Sequence, residues 1–244
     1  MHFILERIQK ITEQLKDYTY SEKVKVTDYV MKEGNYKSIS QAENAPAPWN
    51  RFVTGDKWGG RDYHAWFRTE IEIPESFEGK TAAICAFTGE EGWDALNPQF
   101  ILYVNGELIQ GLDVNHREVI LCRNAKAGDR YNIDLHAYSG MIDKKADLFV
   151  ELVVLDEKIR NIYYNINVPA LVAERLPRDS KTSIDILKVL NDTINILDLR
   201  KPFSKLFYDS IEKANSYIES EFYDKMCGHE DIIATCVGHT HIDV

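Results

Sequence analysis

In the opening stretch MHFILERIQKITEQLKD, the apolar residues Ile4, Ile8, Ile11 and Leu15 recur at the three-to-four-residue spacing of one helical face. It predicts an amphipathic helix, without the cationic and apolar layout of a signal peptide. The stretch that follows, to about Tyr63, is rich in Gly, Pro, Asn and aromatics and reads as loops and short extended pieces. From there the period shortens to two. The runs HAWFRTEIEIP, KTAAICAFTG, PQFILYVNGELIQ, REVILCR, RYNIDLHAYSG and ADLFVELVVLD are short, β-branched or aromatic, and bounded by turn residues. Strands at that spacing with no helix between them predict an antiparallel sandwich. Asn105-Gly106, between two alternating runs, is the clearest hairpin signal.

Beyond Asp156 the period becomes helical. Leu155, Ile159, Ile162 and Ile166 form one stripe, which Pro169 is expected to interrupt. Leu187, Leu190, Ile194 and Leu197 form a second, with Ser180 or Ser183 as N-cap. A third runs through Phe203, Phe207, Ile211, Ala214, Ile218 and Phe222, with Pro202 in its first turn. The apolar run IIATCV at 232–237 then reads as a buried strand of the parallel-sheet kind.

The expected fold class is therefore α+β. An N-terminal helical segment occupies 1–30 and an antiparallel β-sandwich of galactose-binding-like or jelly-roll type occupies 31–156. A helical linker takes 157–228, and 229–244 is the first strand of a truncated (β/α) barrel-like catalytic domain. Such a barrel takes about 250 residues. The last strand has no partners here, so the chain is expected to be the front part of a longer one.

A chain of 244 residues with 44% hydrophobic and 28% charged residues is of ordinary globular composition. Its net charge of −10 argues against nucleic acid or an anionic membrane as partner. No window approaches the ~18 apolar residues of a membrane span. Cys85, Cys122, Cys227 and Cys236 form no CxxC pair and are too sparse for a disulfide framework, which points to reduced thiols and a cytoplasmic setting.

The chemistry gathers at the end. Along an extended strand His239, His241 and Asp243 share one face, and imidazole nitrogen and carboxylate oxygen are ordinary zinc donors. Barrel enzymes carry their sites at the carboxyl ends of parallel strands, which is where this HxHxD falls. Trp66 in HAWFRTEI reads as a packing residue rather than a sugar platform, and Trp49, Trp58 and Trp93 offer no stronger case. His64, His116 and His136 are isolated from one another in sequence. His116 beside Asn115 reads as a turn unit, and Glu90, Glu91 and Asp113 as solvated loop charge.

Val237, Gly238, His239, His241 and Asp243 match the signature that opens the catalytic domain of the zinc-dependent α-mannosidases of glycoside hydrolase family 38, and the chain resembles that family. The likeness extends to GWDALNPQFILYVNGELIQGLDVNHREVIL and YYNINVPALVAERLP upstream. The resemblance implies zinc held by His241 and Asp243, with His239 near the metal. It implies retaining hydrolysis of terminal α-linked mannose from mannose-containing oligosaccharides by two carboxyl groups. The nucleophile, the acid and the remaining zinc ligands are expected downstream, so no catalytic residue is assigned in this chain and it is expected to be inactive alone. Zinc there would select mannose by its axial O2, acting mainly as a template.

Two other readings stay open. A metal-dependent amidohydrolase also opens its barrel with HxH, and there both His239 and His241 would bind metal. A non-catalytic carbohydrate-binding or structural module is the third. An unpaired barrel strand also offers an edge through which the chain could form a homo-oligomer.

Overall fold

The computed structural model describes residues 2–88 and 98–228. The chain divides into two compact units: Tyr20–Glu157 forms one, and the first helix together with the C-terminal helices forms the other.

Helix α1 spans His2–Tyr18. The strands are β1 Tyr20–Val26, β2 Asp28–Glu33, β3 Asn50–Val53, β4 Trp58–Gly59, β5 His64–Glu72, β6 Ala82–Phe87, β7 Gln99–Val104, β8 Glu107–Leu112, β9 Glu118–Cys122, β10 Arg130–Tyr138, β11 Lys145–Ala146 and β12 Phe149–Leu155, with a short helix α2, Ile39–Asn44, between β2 and β3. They pair antiparallel as a four-stranded sheet, β1-β12-β6-β9, a six-stranded sheet, β3-β2-β5-β10-β7-β8, and the small pair β11-β4. Each of the six runs read from period two contains a strand of these sheets. The helical expectation for 19–30 is corrected: β1 and the start of β2 lie there. β1 is an edge strand with one polar side, so YSEKVKV carries too few apolar positions to announce itself.

Strand alternation builds the core. Ala65, Phe67 and Ile71 of β5, Ile133, Leu135 and Ala137 of β10, and Phe100 and Leu102 of β7 face Ala82, Ile84 and Ala86 of β6 and Val150, Leu152 and Val154 of β12 in one buried cluster. Trp58 closes it, edge-on to Phe67 at 5.4 Å, with its indole N–H donating to the Asp147 carbonyl at 3.1 Å. At the β7–β8 turn Asn105 and Gly106 adopt φ of 51° and 83°, as a type I′ turn requires. The Asn105 side chain accepts from the Asn132 amide at 2.9 Å, tying the hairpin to β10.

In the helical unit α3 spans Glu157–Arg175, α4 Lys181–Ile196 and α5 Lys205–Ile218; a π-turn at Glu219–Tyr223 and a last short helix, α6 Asp224–Met226, follow. Ile8 and Leu15, then Ile159, Ile162 and Ile166, then Leu187, Leu190 and Ile194, then Phe207, Ile211, Ala214 and Ile218 meet in one core. Leu155 is not part of that stripe, because it ends β12. Ser180 caps α4 by accepting from the Ser183 amide at 3.2 Å, while the Ser183 hydroxyl is buried and donates to the Ala173 carbonyl.

Two expectations about proline are overturned. α3 runs through Pro169 without a break. A proline lacks the N–H that would pair with the carbonyl four residues back. That carbonyl, of Asn165, accepts instead from the Tyr223 hydroxyl at 3.3 Å, and the Asn165 amide donates to Asn215 at 2.9 Å. Pro202 does not open α5: Phe203 has φ of 63°, and Ser204 is the N-cap, accepting from the Phe207 amide at 3.3 Å.

Candidate functional site

His241 and Asp243, the expected metal ligands, lie outside the described residues, as do His239, Trp93, Glu90 and Glu91. Among the described residues no group of three or more His, Cys, Asp or Glu is placed to hold a metal, and no helix is long and apolar enough to cross a membrane.

A polar and aromatic constellation lies on the outward face of the six-stranded sheet. Because Ala65 and Phe67 point into the core, His64, Trp66 and Arg68 point out. Opposite them on β10 stand Tyr138, His136 and Asp134, and beyond those, on β7, Ile101 and Tyr103 stand beside His136 and Asp134. The rings form a ladder. Trp66 stacks on His136 at 4.7 Å with planes 5° apart, His64 stacks on Tyr138 at 4.7 Å, and the two imidazoles lie 5.8 Å apart. Tyr103 flanks Trp66 at 5.5 Å.

Residues 36–49 strap one side of this face. Lys32, opposite Trp66 on β2, is 1% exposed. Its ammonium donates to the carbonyls of Ala42 and Ala45 at the C-terminal end of α2, where the helix dipole favours a cation. The Trp66 indole N–H donates to the Tyr36 carbonyl at 3.0 Å. Arg68 pairs with the buried Asp134 at 2.6 Å and with Glu43 at 2.8 Å, and lies over the Trp49 ring. Trp66 is thus a packing residue, as expected, but it packs on the outward face under this strap and not between the sheets.

Two nitrogens of this ladder, His64 Nδ1 and His136 Nε2, are buried and have no hydrogen-bond partner in the protein. Burial, with His64 adding to it, holds the His136 imidazole below its ordinary value of 6.5. His136 binds its proton less tightly folded than unfolded. Its contribution to stability is therefore complete above pH 6.5 and is lost as the pH falls from there through the lowered folded value. Thermal midpoints recorded between about pH 7.5 and 4.5 should fall on acidification, and His136→Gln should flatten that slope. Equal slopes in both proteins would contradict it.

Three further titratable groups among the described residues, Asp113, Cys85 and Tyr20, fit structural roles. The Asp113 carboxylate accepts from the amides of Asn115 and His116 and sits 3.0 Å from His116 Nδ1, the turn unit expected there. Burial pushes the Cys85 thiol up to about 11, which keeps it protonated at neutral pH. The Tyr20 hydroxyl donates to Glu118 at 2.7 Å, and its burial raises its pKa strongly.

Sequence reasoning set His64 and His136 apart because 72 positions, 136 less 64, separate them. The usable signal was that each lies two positions from an aromatic in an alternating strand, His64 from Trp66 and His136 from Tyr138, which places ring beside ring on one face.

Comparison with known proteins gives three kinds of likeness. Residues 21–146 match the family model described as alpha-mannosidase, jelly roll domain, of Ams1-like type. The chain is 22% identical over 227 residues to alpha-mannosidase 2C1 of Mus musculus, covering 85% of this chain and 20% of that protein. To alpha-mannosidase G of Dictyostelium discoideum it is 24% identical over 246 residues, covering 92% of this chain and 21% of that protein. The chain thus spans about a fifth of the length of these curated relatives. Among solved structures, the Ruminococcus gnavus β-glucuronidase shares 12% identity at a TM-score of 0.39, over 56% of this chain and 29% of that one.

Proposed function

The chain belongs to the family of α-mannosidase jelly roll domains, and from that premise we propose that it is the N-terminal part of a longer zinc-dependent α-mannosidase that removes terminal α-linked mannose from oligosaccharides. The observation that carries the reading is the reach of the likeness. The family model ends at residue 146, yet the identity to the α-mannosidases takes in 85% to 92% of the chain, so it extends past the sandwich into the helices.

In this reading the sandwich and the helical unit lead to the HxHxD at 239–243. His241 and Asp243 supply an imidazole nitrogen and a carboxylate oxygen, a donor set that suits zinc. Zinc, when bound, orients the sugar's vicinal hydroxyls. Two protein ligands are fewer than a catalytic zinc site uses, so the 244-residue chain holds the metal weakly and turns over nothing by itself. The hydrolysis proceeds with retention, one carboxylate forming the glycosyl-enzyme and a second carboxyl group protonating the leaving oxygen, both supplied from elsewhere in the longer protein. A cytoplasmic setting belongs to the same reading and is supported by the free thiols of Cys85, Cys122 and Cys227.

The test is hydrolysis of an aryl α-mannoside by the full-length protein, with and without chelator, beside the 244-residue chain. Activity in the full-length protein that chelation removes and zinc restores, with none in the shorter chain, supports the reading. No mannose release by the full-length protein overturns it.

A further inference from the structure

We propose that the outer side of α3, carrying Tyr164, Val168, Leu171 and Val172, is the docking surface for the part of the longer protein that lies beyond residue 244. The proposal rests on the reading that this chain is the front of a longer one, and not on the chemistry assigned to that protein. The spacing of the four residues, i, i+4, i+7 and i+8, puts them on one side of the helix over two turns. Each is about half exposed, from 47% to 53%. The opposite side of α3, with Ile159, Ile162, Ile166, Ala170 and Ala173, is already buried in the helical core. α3 is thus apolar on two sides, and a helix of that pattern is one that is covered on both. Helix propensity does not account for the outer side, because Val and Tyr are poorer helix formers than the Lys, Glu or Gln that an exposed position accepts. Arg160 and Asn161 flank the four toward the N-terminal end and Arg175 toward the C-terminal end, so polar groups border an apolar centre, as they do at interaction sites.

The course of the chain points to the occupant. The Tyr223 hydroxyl reaches the carbonyl of Asn165, the neighbour of Tyr164, at the middle of α3. Gly228, the last described residue, follows five positions on, 228 less 223. Five residues span at most about 18 Å even when extended, and a tyrosine side chain adds roughly 7 Å. The chain therefore passes Gly228 within about 25 Å of the Asn165 carbonyl, beside the exposed apolar side chains. About four-fifths of the length of the curated relatives lies outside the matched part, so a large body has to be placed from that point. Size separates this occupant from a free one. A stable interface between separate molecules uses about 20–30 residues a side, far more than four side chains on one helix supply. A tethered body needs much less, since the linking chain gives it an effective concentration on the order of millimolar.

The experiment compares the full-length protein with the 244-residue chain, each carrying Leu171→Cys, by the rate of maleimide labelling at position 171. Peptide mass identifies the labelled site, so the native cysteines do not interfere. Rapid labelling in the 244-residue chain is expected, with labelling at least about tenfold slower in the full-length protein and independent of protein concentration. Val168→Cys, on the same side of α3, gives a second reading if Leu171→Cys folds poorly. Equal rates in the two proteins overturn the proposal. So does protection that disappears on dilution, which would make a second copy the occupant, and so does protection already present in the 244-residue chain. Labelling is read without substrate or metal. Docking can therefore fail in a protein that releases mannose, and can hold in one that does not.

Discussion

Asp243→Ala in the full-length protein is expected to lower chelator-sensitive α-mannoside hydrolysis by more than about 100-fold, since even groups one step behind a metal ligand cost 10–100-fold in affinity or activity when removed. His241→Ala should do the same, while His239→Ala should weaken the site and leave metal bound. The contrast follows from the donor sets. An α-mannosidase of this type takes one imidazole and one carboxylate from the motif, whereas an amidohydrolase takes both imidazoles. Metal content after dialysis, measured beside activity for each variant, distinguishes them. Metal lost from His239→Ala and kept by Asp243→Ala would replace the mannosidase reading with the amidohydrolase one.

The second large effect lies in the helical unit. Phe207 is fully buried, edge-on to Tyr18 of α1 at 6.1 Å and to Tyr208 at 5.3 Å, and 5.9 Å from Phe203. Phe207→Ala removes most of a buried ring where α1 and α5 meet and should cost about 3–5 kcal/mol, part lost transfer and part cavity. Leu206, 67% exposed on the same helix, is the control. Leu206→Ala should stay within about 0.5 kcal/mol. Denaturant unfolding followed by helical circular dichroism reads both, and equal midpoints for the two variants would show that the aromatic junction carries no such weight.

Strand alternation and turn chemistry are local properties, and they were legible. The strands from β5 to β10 and β12, the Asn105-Gly106 turn and the Ser180 cap all follow from residues within a few positions of one another. Helical spacing likewise marked Ile8, Leu15, Ile162, Leu190 and Ile211 as core. The HxHxD motif also shows in the sequence, because the period of a strand alone places its donors on one side.

What could not be read depends on partners far along the chain. Pro169 looks like a helix break until Tyr223, 58 residues beyond Asn165, is seen to fill the Asn165 carbonyl that the proline leaves open. Lys32 looks like a solvated lysine until α2 folds back and offers it two carbonyls in place of water. The pairing of His64 with His136 rests on the register between β5 and β10, and a shift of one residue would send one of the rings into the core. Periodicity tells which face a side chain takes. Which other side chain waits there, and whether a buried polar atom finds a partner, is decided by non-local pairing, where the energy of a contact depends on chain segments that no local pattern encodes.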